Sequence, residues 1–115
     1  MRQTVQSKTD VLQGTLDLMV LRTLESLGPQ HGYTISARIE QVSTGALQLN
    51  MGTLYPALMR LEQRGLIRGK WGTSESNRKA RFYEITAAGK RQLEKEKKAW
   101  EQMAGIIHAL LYDQR

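Results

Sequence analysis

Cysteine is absent from this sequence. That excludes disulfides, thiolate zinc sites and cysteine nucleophiles. Aromatic residues are scarce, with a single Phe, so aliphatic side chains and five Met must supply the core. Proline occurs only at Pro29 and Pro56, which leaves long stretches free to be helical. No apolar run approaches the roughly 18 residues that suggest a membrane span, and no signal-peptide h-region is visible. The expectation is a soluble, cytoplasmic protein with no membrane association. The two histidines, His31 and His108, are too few and too far apart to suggest a metal site. A glycine-rich phosphate loop, a nucleophile elbow and paired carboxylates in an apolar setting are also missing. No catalytic residue, metal or cofactor is therefore expected, and an enzyme has little in its favour.

What is present is positive charge, and it is unevenly placed. The 115 residues carry a net charge of +6. Residues 1–49 are balanced, residues 50–85 hold +4 and residues 86–115 hold +2. A focused basic segment attracts polyanions, and counterion release supplies much of the resulting affinity. The same charge also fits a merely solvated surface, so the pattern around it has to decide. The length suits one domain with a modest core.

The periodicity predicts a helix over residues 10–27. Leu12, Leu16, Met19, Val20, Leu24 and Leu27 recur at three and four, after a frayed polar start of about seven residues. Asp10 and Gln13 have capping-box spacing, and Gly28-Pro29 ends the segment. Asp17 and Glu25 are expected to face solvent or a partner. A second helix opens at Gly32-Tyr33-Thr34, carries Ile35, Ile39 and Val42 on its inner side, and closes at Thr44-Gly45. Leu47 and Leu49 then read as a short extended pair. A third helix follows. Either Asn50 caps it, which puts Pro56 in its interior, or Thr53 does, which puts Pro56 in its first turn; the second is preferred. Leu66–Trp71 and Ala80–Thr86 predict two strands joined by the polar stretch 72–77. In the second strand Phe82 and Glu84 share one face, Tyr83 and Ile85 the other.

Three helices followed by a hairpin is the order of a winged helix-turn-helix. The fold class expected is mainly α: three helices plus a β-hairpin wing, with a long C-terminal dimerisation helix. In the third helix Leu54, Leu58 and Leu61 make a buried stripe, while Thr53, Arg60 and Arg64 share a flank about 100° away. Such a helix suits a DNA-reading head. Arg60 and Arg64 reach far enough for guanine or phosphate, or simply solvate the flank. Arg78, Lys79 and Arg81 form a basic shoulder on the wing, suited to clamp phosphates. Tyr33 reads either as a phosphate ligand or as a half-buried ring with its hydroxyl in water. His31 reads as structural or as a phosphate contact.

The last helix, predicted over 87–112 with Thr86 as its cap, carries Leu93, Trp100 and Ile107 seven residues apart. Glu96, Met103 and Leu110 fill the other seam position, with Ala99 and Ile106 beside them. This stripe is too long for a small domain to cover unaided, so a homodimer through Leu93, Trp100, Met103, Ile107 and Leu110 is expected. The division drawn is a head of residues 1–86 and a dimerisation helix of residues 87–115, forming one structural unit.

The assembled pieces resemble the PadR family of bacterial transcriptional regulators. They are Leu12-Gln-Gly-Thr-Leu-Asp-Leu-Met-Val-Leu21, His31-Gly-Tyr-Thr-Ile35, Gly52-Thr-Leu-Tyr-Pro-Ala-Leu58, Leu61-Glu62, Gly65-Leu-Ile67, Ser74-Glu-Ser-Asn-Arg-Lys-Ala-Arg-Phe-Tyr83 and Thr86-Ala-Ala-Gly89. The single C-terminal helix is similar to that of the short subfamily. The resemblance implies a homodimer whose third helices enter the major groove of double-stranded DNA at a pseudo-palindromic operator. It also implies a wing on the flanking backbone, and dimerisation through the last and first helices. Members are mostly repressors, several of them released by a small molecule. Thr53 and Tyr55 match the family's recognition-helix motif, and Tyr55 alternatively packs against the wing. Trp100 stands where multidrug-binding members stack a Trp on flat ligands, which implies a possible planar effector; a seam Trp also suits core packing. Two rival readings stay open: a protein-interaction adaptor that uses the basic face, and a drug-binding sensor with a secondary DNA role.

Overall fold

A computed structural model describes the backbone of residues 4–113 and the side chains of residues 14–113. Its elements, in chain order, are α1 (Thr4–Leu27), β1 (Gln30–His31), α2 (Gly32–Val42), α3 (Met51–Gln63), β2 (Ile67–Thr73), β3 (Lys79–Ile85) and α4 (Ala87–Tyr112). The fold is mostly helical, with one antiparallel sheet ordered β1-β3-β2. It is a winged helix-turn-helix with a long C-terminal helix.

α1 starts at Thr4, upstream of the predicted residue 10. The cap read at Asp10 and Gln13, and the role of Leu12, concern side chains outside the described residues; of the seven residues predicted to fray, residues 1–3 lie outside the described residues and residues 4–7 are helical. Gly28 ends the helix with a φ of 81° and donates its N–H to the Leu24 carbonyl at 3.0 Å.

Most of the predicted apolar stripes meet in one core, whereas Leu27 and Val42, at the ends of α1 and α2, are exposed. Leu16, Val20, Leu21 and Leu24 of α1 pack with Ile35 and Ile39 of α2 and with Leu54, Leu58 and Leu61 of α3. Leu66, Ile67 and Tyr83 close it from the sheet side. Leu47 and Leu49 pack against this core but form no strand. The Leu49 carbonyl instead accepts a hydrogen bond from the buried Ser36 hydroxyl at 2.8 Å, which satisfies it without a ladder partner.

β1 is an element the sequence did not announce. Its two residues pair with the far edge of β3, Gln30 opposite Tyr83 and His31 opposite Phe82. The His31 ring meets Phe82 edge-on, with centroids 5.2 Å apart, and also lines the groove between the start of α2 and the wing. β2 and β3 pair from Ile67–Ile85 out to Thr73–Lys79. Residues 74–78 turn the hairpin, with Asn77 at a φ of 62°.

α4 is fastened to the end of α3. The Thr86 hydroxyl caps α4 by accepting the Gly89 N–H at 3.0 Å and donates to the Gly65 carbonyl at 2.7 Å. The Thr86 N–H donates to the Leu66 carbonyl at 3.0 Å. Gly89 lies so close to that carbonyl that a Cβ there would collide with it and with Ile85. Gly89→Ala is therefore expected to destabilise the fold. Overpacking costs about 1–3 kcal/mol, which outweighs the roughly 1 kcal/mol that alanine gains over glycine in a helix. Urea denaturation, monitored by circular dichroism, checks this; a variant as stable as the parent would show that α4 seats more loosely.

Leu93 corrects an expectation. Placed on the dimer seam by its heptad position, it is only 2% exposed and belongs to the core of its own head. The first two turns of α4 thus pack into the head, and the division drawn at Thr86 passes through a joint core. Beyond them, Trp100, Met103, Ile106, Ile107, Leu110 and Leu111 are all between 48% and 75% exposed. No helix among the described residues is long and apolar enough to cross a membrane.

Candidate nucleic-acid interface

α3 begins at Asn50, whose side chain accepts the Thr53 N–H at 2.9 Å. This corrects the preference for a Thr53 cap. Asn is at least as good an N-cap as Thr, and the cost of the choice is an interior Pro56. Pro56 has no N–H to give the Gly52 carbonyl, but both residues are exposed, so water can serve that carbonyl.

With Leu54, Ala57, Leu58 and Leu61 buried, the helical repeat puts Gly52, Pro56, Met59 and Gln63 on the opposite crest. All four are exposed, Met59 by 60%. Thr53, Arg60 and Arg64 lie on the flank toward α1, and Tyr55 and Glu62 on the flank toward the sheet. Each flank carries an arginine–carboxylate brace. Arg60 donates to Asp17 of α1 at 2.9 Å, and the Asp17 side chain is only 14% exposed. Asp17 therefore faces neither solvent nor a partner, as had been expected, but α3. Glu25 pairs with Arg22 on the surface at 2.7 Å. On the other flank Glu62 accepts from Arg81 of β3 at 2.7 Å and from the Gly69 N–H at 3.3 Å. The hydrogen bond to Glu62 also raises the Arg81 pKa further. Two ion pairs on opposite sides fix how far α3 can roll, and so which residues crest it.

Tyr33 meets the wing tip, and Tyr55 sits at the junction of α2 and α3. A Cβ on Gly32 would meet the Tyr55 hydroxyl and the Met51 sulfur at 3.3 and 3.4 Å, so the starts of α2 and α3 touch there. Tyr55 is half-exposed over this junction. Tyr33, at the start of α2, is 69% exposed and faces a groove of about 860 Å³ shared with Ser74, Glu75, Arg78 and Lys79 of the wing. Lys79 and Arg81 stand over the exposed Trp71 ring, 5.6 and 5.9 Å from its centroid. Burial raises the Tyr83 phenol pKa, although Arg81 opposes it, so this hydroxyl stays neutral beside the interface. On the outer face of the wing Arg68 holds Glu84 at 2.9 Å and keeps its carboxyl below the usual range.

The residues expected to contact nucleic acid therefore separate. Tyr33, Arg78 and Lys79 share one groove, Tyr55 sits at the helix junction, and Arg64 is exposed at the end of α3. Thr53 is half-buried near the cap. Arg60 and Arg81 are each paired with a carboxylate of the same chain, with 37% and 35% of their side chains still exposed. Sequence reasoning passed over Met59 and Pro56, because charge rather than the axis opposite the leucine stripe guided the search. It also passed over Asp17 and Glu62, whose partners are distant in the chain.

Comparison with known proteins gives this geometry a lineage. The family model described as the transcriptional regulator PadR-like family matches residues 20–95. An uncharacterised 37.1 kDa protein in transposon Tn4556 of Streptomyces fradiae is 41% identical over 80 residues. The match takes in 70% of this chain but only 21% of that protein's length. A transcriptional regulator from Clostridium thermocellum is 30% identical, covers 86% of this chain and 92% of its own, and superposes with a TM-score of 0.77. A PadR-like transcriptional regulator from Bacillus cereus is 28% identical over 91% of this chain and 99% of its own, also with a TM-score of 0.77. These structural relatives are regulators of transcription, not enzymes. With the family pattern spanning the head from α1 into α4, the chain belongs to the PadR-like family of transcriptional regulators.

Proposed function

We propose that this regulator binds double-stranded DNA as a homodimer, places α3 in the major groove of each half of a pseudo-palindromic operator, and represses transcription there. The observation that carries the DNA reading is the convergence of Tyr33, Arg78 and Lys79 on one groove between the start of α2 and the wing, next to the junction where Gly32 abuts Tyr55 of α3. In this reading Tyr33, Arg78 and Lys79 hold phosphates, Arg64 supports them from the end of α3, and Thr53 and Tyr55 contact the backbone near the helix start. Arg60 and Arg81 position α3 from its two flanks. The exposed apolar face of α4 is the seam of the dimer, formed by Trp100, Met103, Ile107 and Leu110.

No ion pair among the described residues engages Arg64, Arg78 or Lys79. Three phosphate contacts per head, six per dimer, set the slope of log K against log salt at about −5. Affinity should then fall about a thousandfold between 50 and 200 mM salt. Replacing both Arg78 and Lys79 with Ala removes four of the six contacts and should bring the slope to about −2, weakening all duplexes alike. Fluorescence anisotropy on a duplex from upstream of the protein's own gene, beside a scrambled duplex, tests both points. Equal binding to the two duplexes would sink the operator reading and favour a basic surface for a protein partner.

Release by an effector is the second part of the proposal. A pocket of about 360 Å³ lies along α4, lined by Trp100, Met103, Ile107, His108, Leu111 and Tyr112. Its wall is aromatic, with the His108 and Tyr112 rings 4.9 Å apart. A planar molecule stacked on Trp100 at the seam fits this lining. Quenching of Trp100 by flat aromatics in a Trp71→Phe background is the expected sign.

A further inference from the structure

We propose that the crest of α3 reads thymine methyl groups, so that the half-site is built on A·T pairs whose thymines face Met59 and Pro56. This rests on the reading of the protein as a DNA binder and goes on to name what it recognises.

The argument begins with what the crest lacks. Gly52, Pro56, Met59 and Gln63 bear no charge. Two of the arginines near them are paired within the protein: Arg60 with Asp17 on one flank, Arg81 with Glu62 on the other. A bidentate arginine is the commonest way to read guanine in the major groove; these two are paired, and Arg64, which no ion pair among the described residues engages, stands past the last residue of α3 and away from the middle of the crest. The middle of the crest instead offers hydrocarbon and a thioether. Among the four bases only thymine presents a methyl group in that groove. Gly52 adds no bulk: apart from the Asn50 side-chain oxygen, nothing stands within 4 Å of where its Cβ would be, so backbone can approach a base edge there. Gln63, at the far end, carries the side-chain amide that suits adenine. Both kinds of group on the crest point to A·T pairs.

An exposed methionine and proline on a free surface also fit a protein contact. What selects DNA as the occupant is continuity. His31 and Tyr33, which line the groove with Arg78 and Lys79, flank Gly32, and Gly32 abuts Tyr55 and Met51 at the start of α3; Arg64 is exposed at the other end of the helix, so these groups bring phosphates to both ends of the crest.

The test uses the full-length protein and a duplex to which it binds specifically. Each thymine is replaced in turn by deoxyuridine, which removes the methyl and leaves the Watson–Crick edge intact. Losing one buried methyl should cost about fourfold in affinity, and about 15-fold when both half-sites are changed. In Met59→Ala, or in Pro56→Ala at the neighbouring base, the same deoxyuridine should make no difference, because the contact is already gone. Both side chains are exposed, so the variants keep the fold. Specific binding that is indifferent to every deoxyuridine overturns this inference and leaves the DNA reading standing. A methyl effect that persists in both variants also overturns it, because another group would then be the reader. Equal binding to native and scrambled duplexes removes both.

Discussion

Replacing Ile107 and Leu110 with Glu should convert the protein to monomers and weaken operator binding by about a hundred- to ten-thousandfold. Both side chains are about half-exposed or more in a single chain, on the stretch of α4 that leaves the head. Two carboxylates per subunit at a seam that is otherwise apolar would have to be buried unpaired. The DNA penalty follows from linkage: the second head of a dimer binds at the high effective concentration set by the first, and a monomer loses that gain. The head itself should survive, because α4 is anchored through Gly89 and Leu93, more than three turns earlier. Sedimentation equilibrium and anisotropy, with circular dichroism as the control for folding, read all three quantities. A double variant that stays dimeric would show that the seam lies elsewhere.

Leu61→Ala should be a damaging truncation in α3, at about 2–5 kcal/mol. Leu61 has no exposed surface and sits among the residues where α1, α3 and the sheet meet. Its loss leaves a cavity lined by rigid neighbours, and domains of this size hold only about 5–15 kcal/mol in all. Met59→Ala, two residues away, should change stability by less than about 0.5 kcal/mol, because its side chain is in water. Urea titration of the two variants makes the comparison. Similar midpoints would mean that α3 is not rolled as described, and the assignment of its crest would fall with it.

The stripes that pack were legible in the sequence, and the groups that brace were not. α2, α3 and α4 appear where leucine and isoleucine spacing put them, and the hairpin where turn residues separate two apolar runs. Those signals are local, written within a few turns of one element. β1 has no such signal: two residues become a strand only because Tyr83 and Phe82, over fifty positions later, offer an edge. Arg60 looked like a DNA contact because its partner, Asp17, is 43 residues away in the chain. Leu93 fits a heptad as well as Trp100 does, and periodicity does not say which heptad a head will cover. The Asn50 cap was the closest miss, since both candidates are good caps and the cost of Pro56 weighed against the one adopted.

The fastening of α4 to the end of α3 has a mechanical consequence. Thr86 and Gly89 grip Gly65 and Leu66, the turn that directly follows α3. α4 is about 39 Å long at 1.5 Å per residue. As a rigid rod hinged at that turn, it swings its far end about 3 Å for every 5° or so of rotation at the root. In the proposed dimer the seam and α3 would then be the two ends of one lever. A displacement at Trp100 no larger than the thickness of one aromatic ring would then tilt α3, and two such levers crossed at the seam would turn both heads at once.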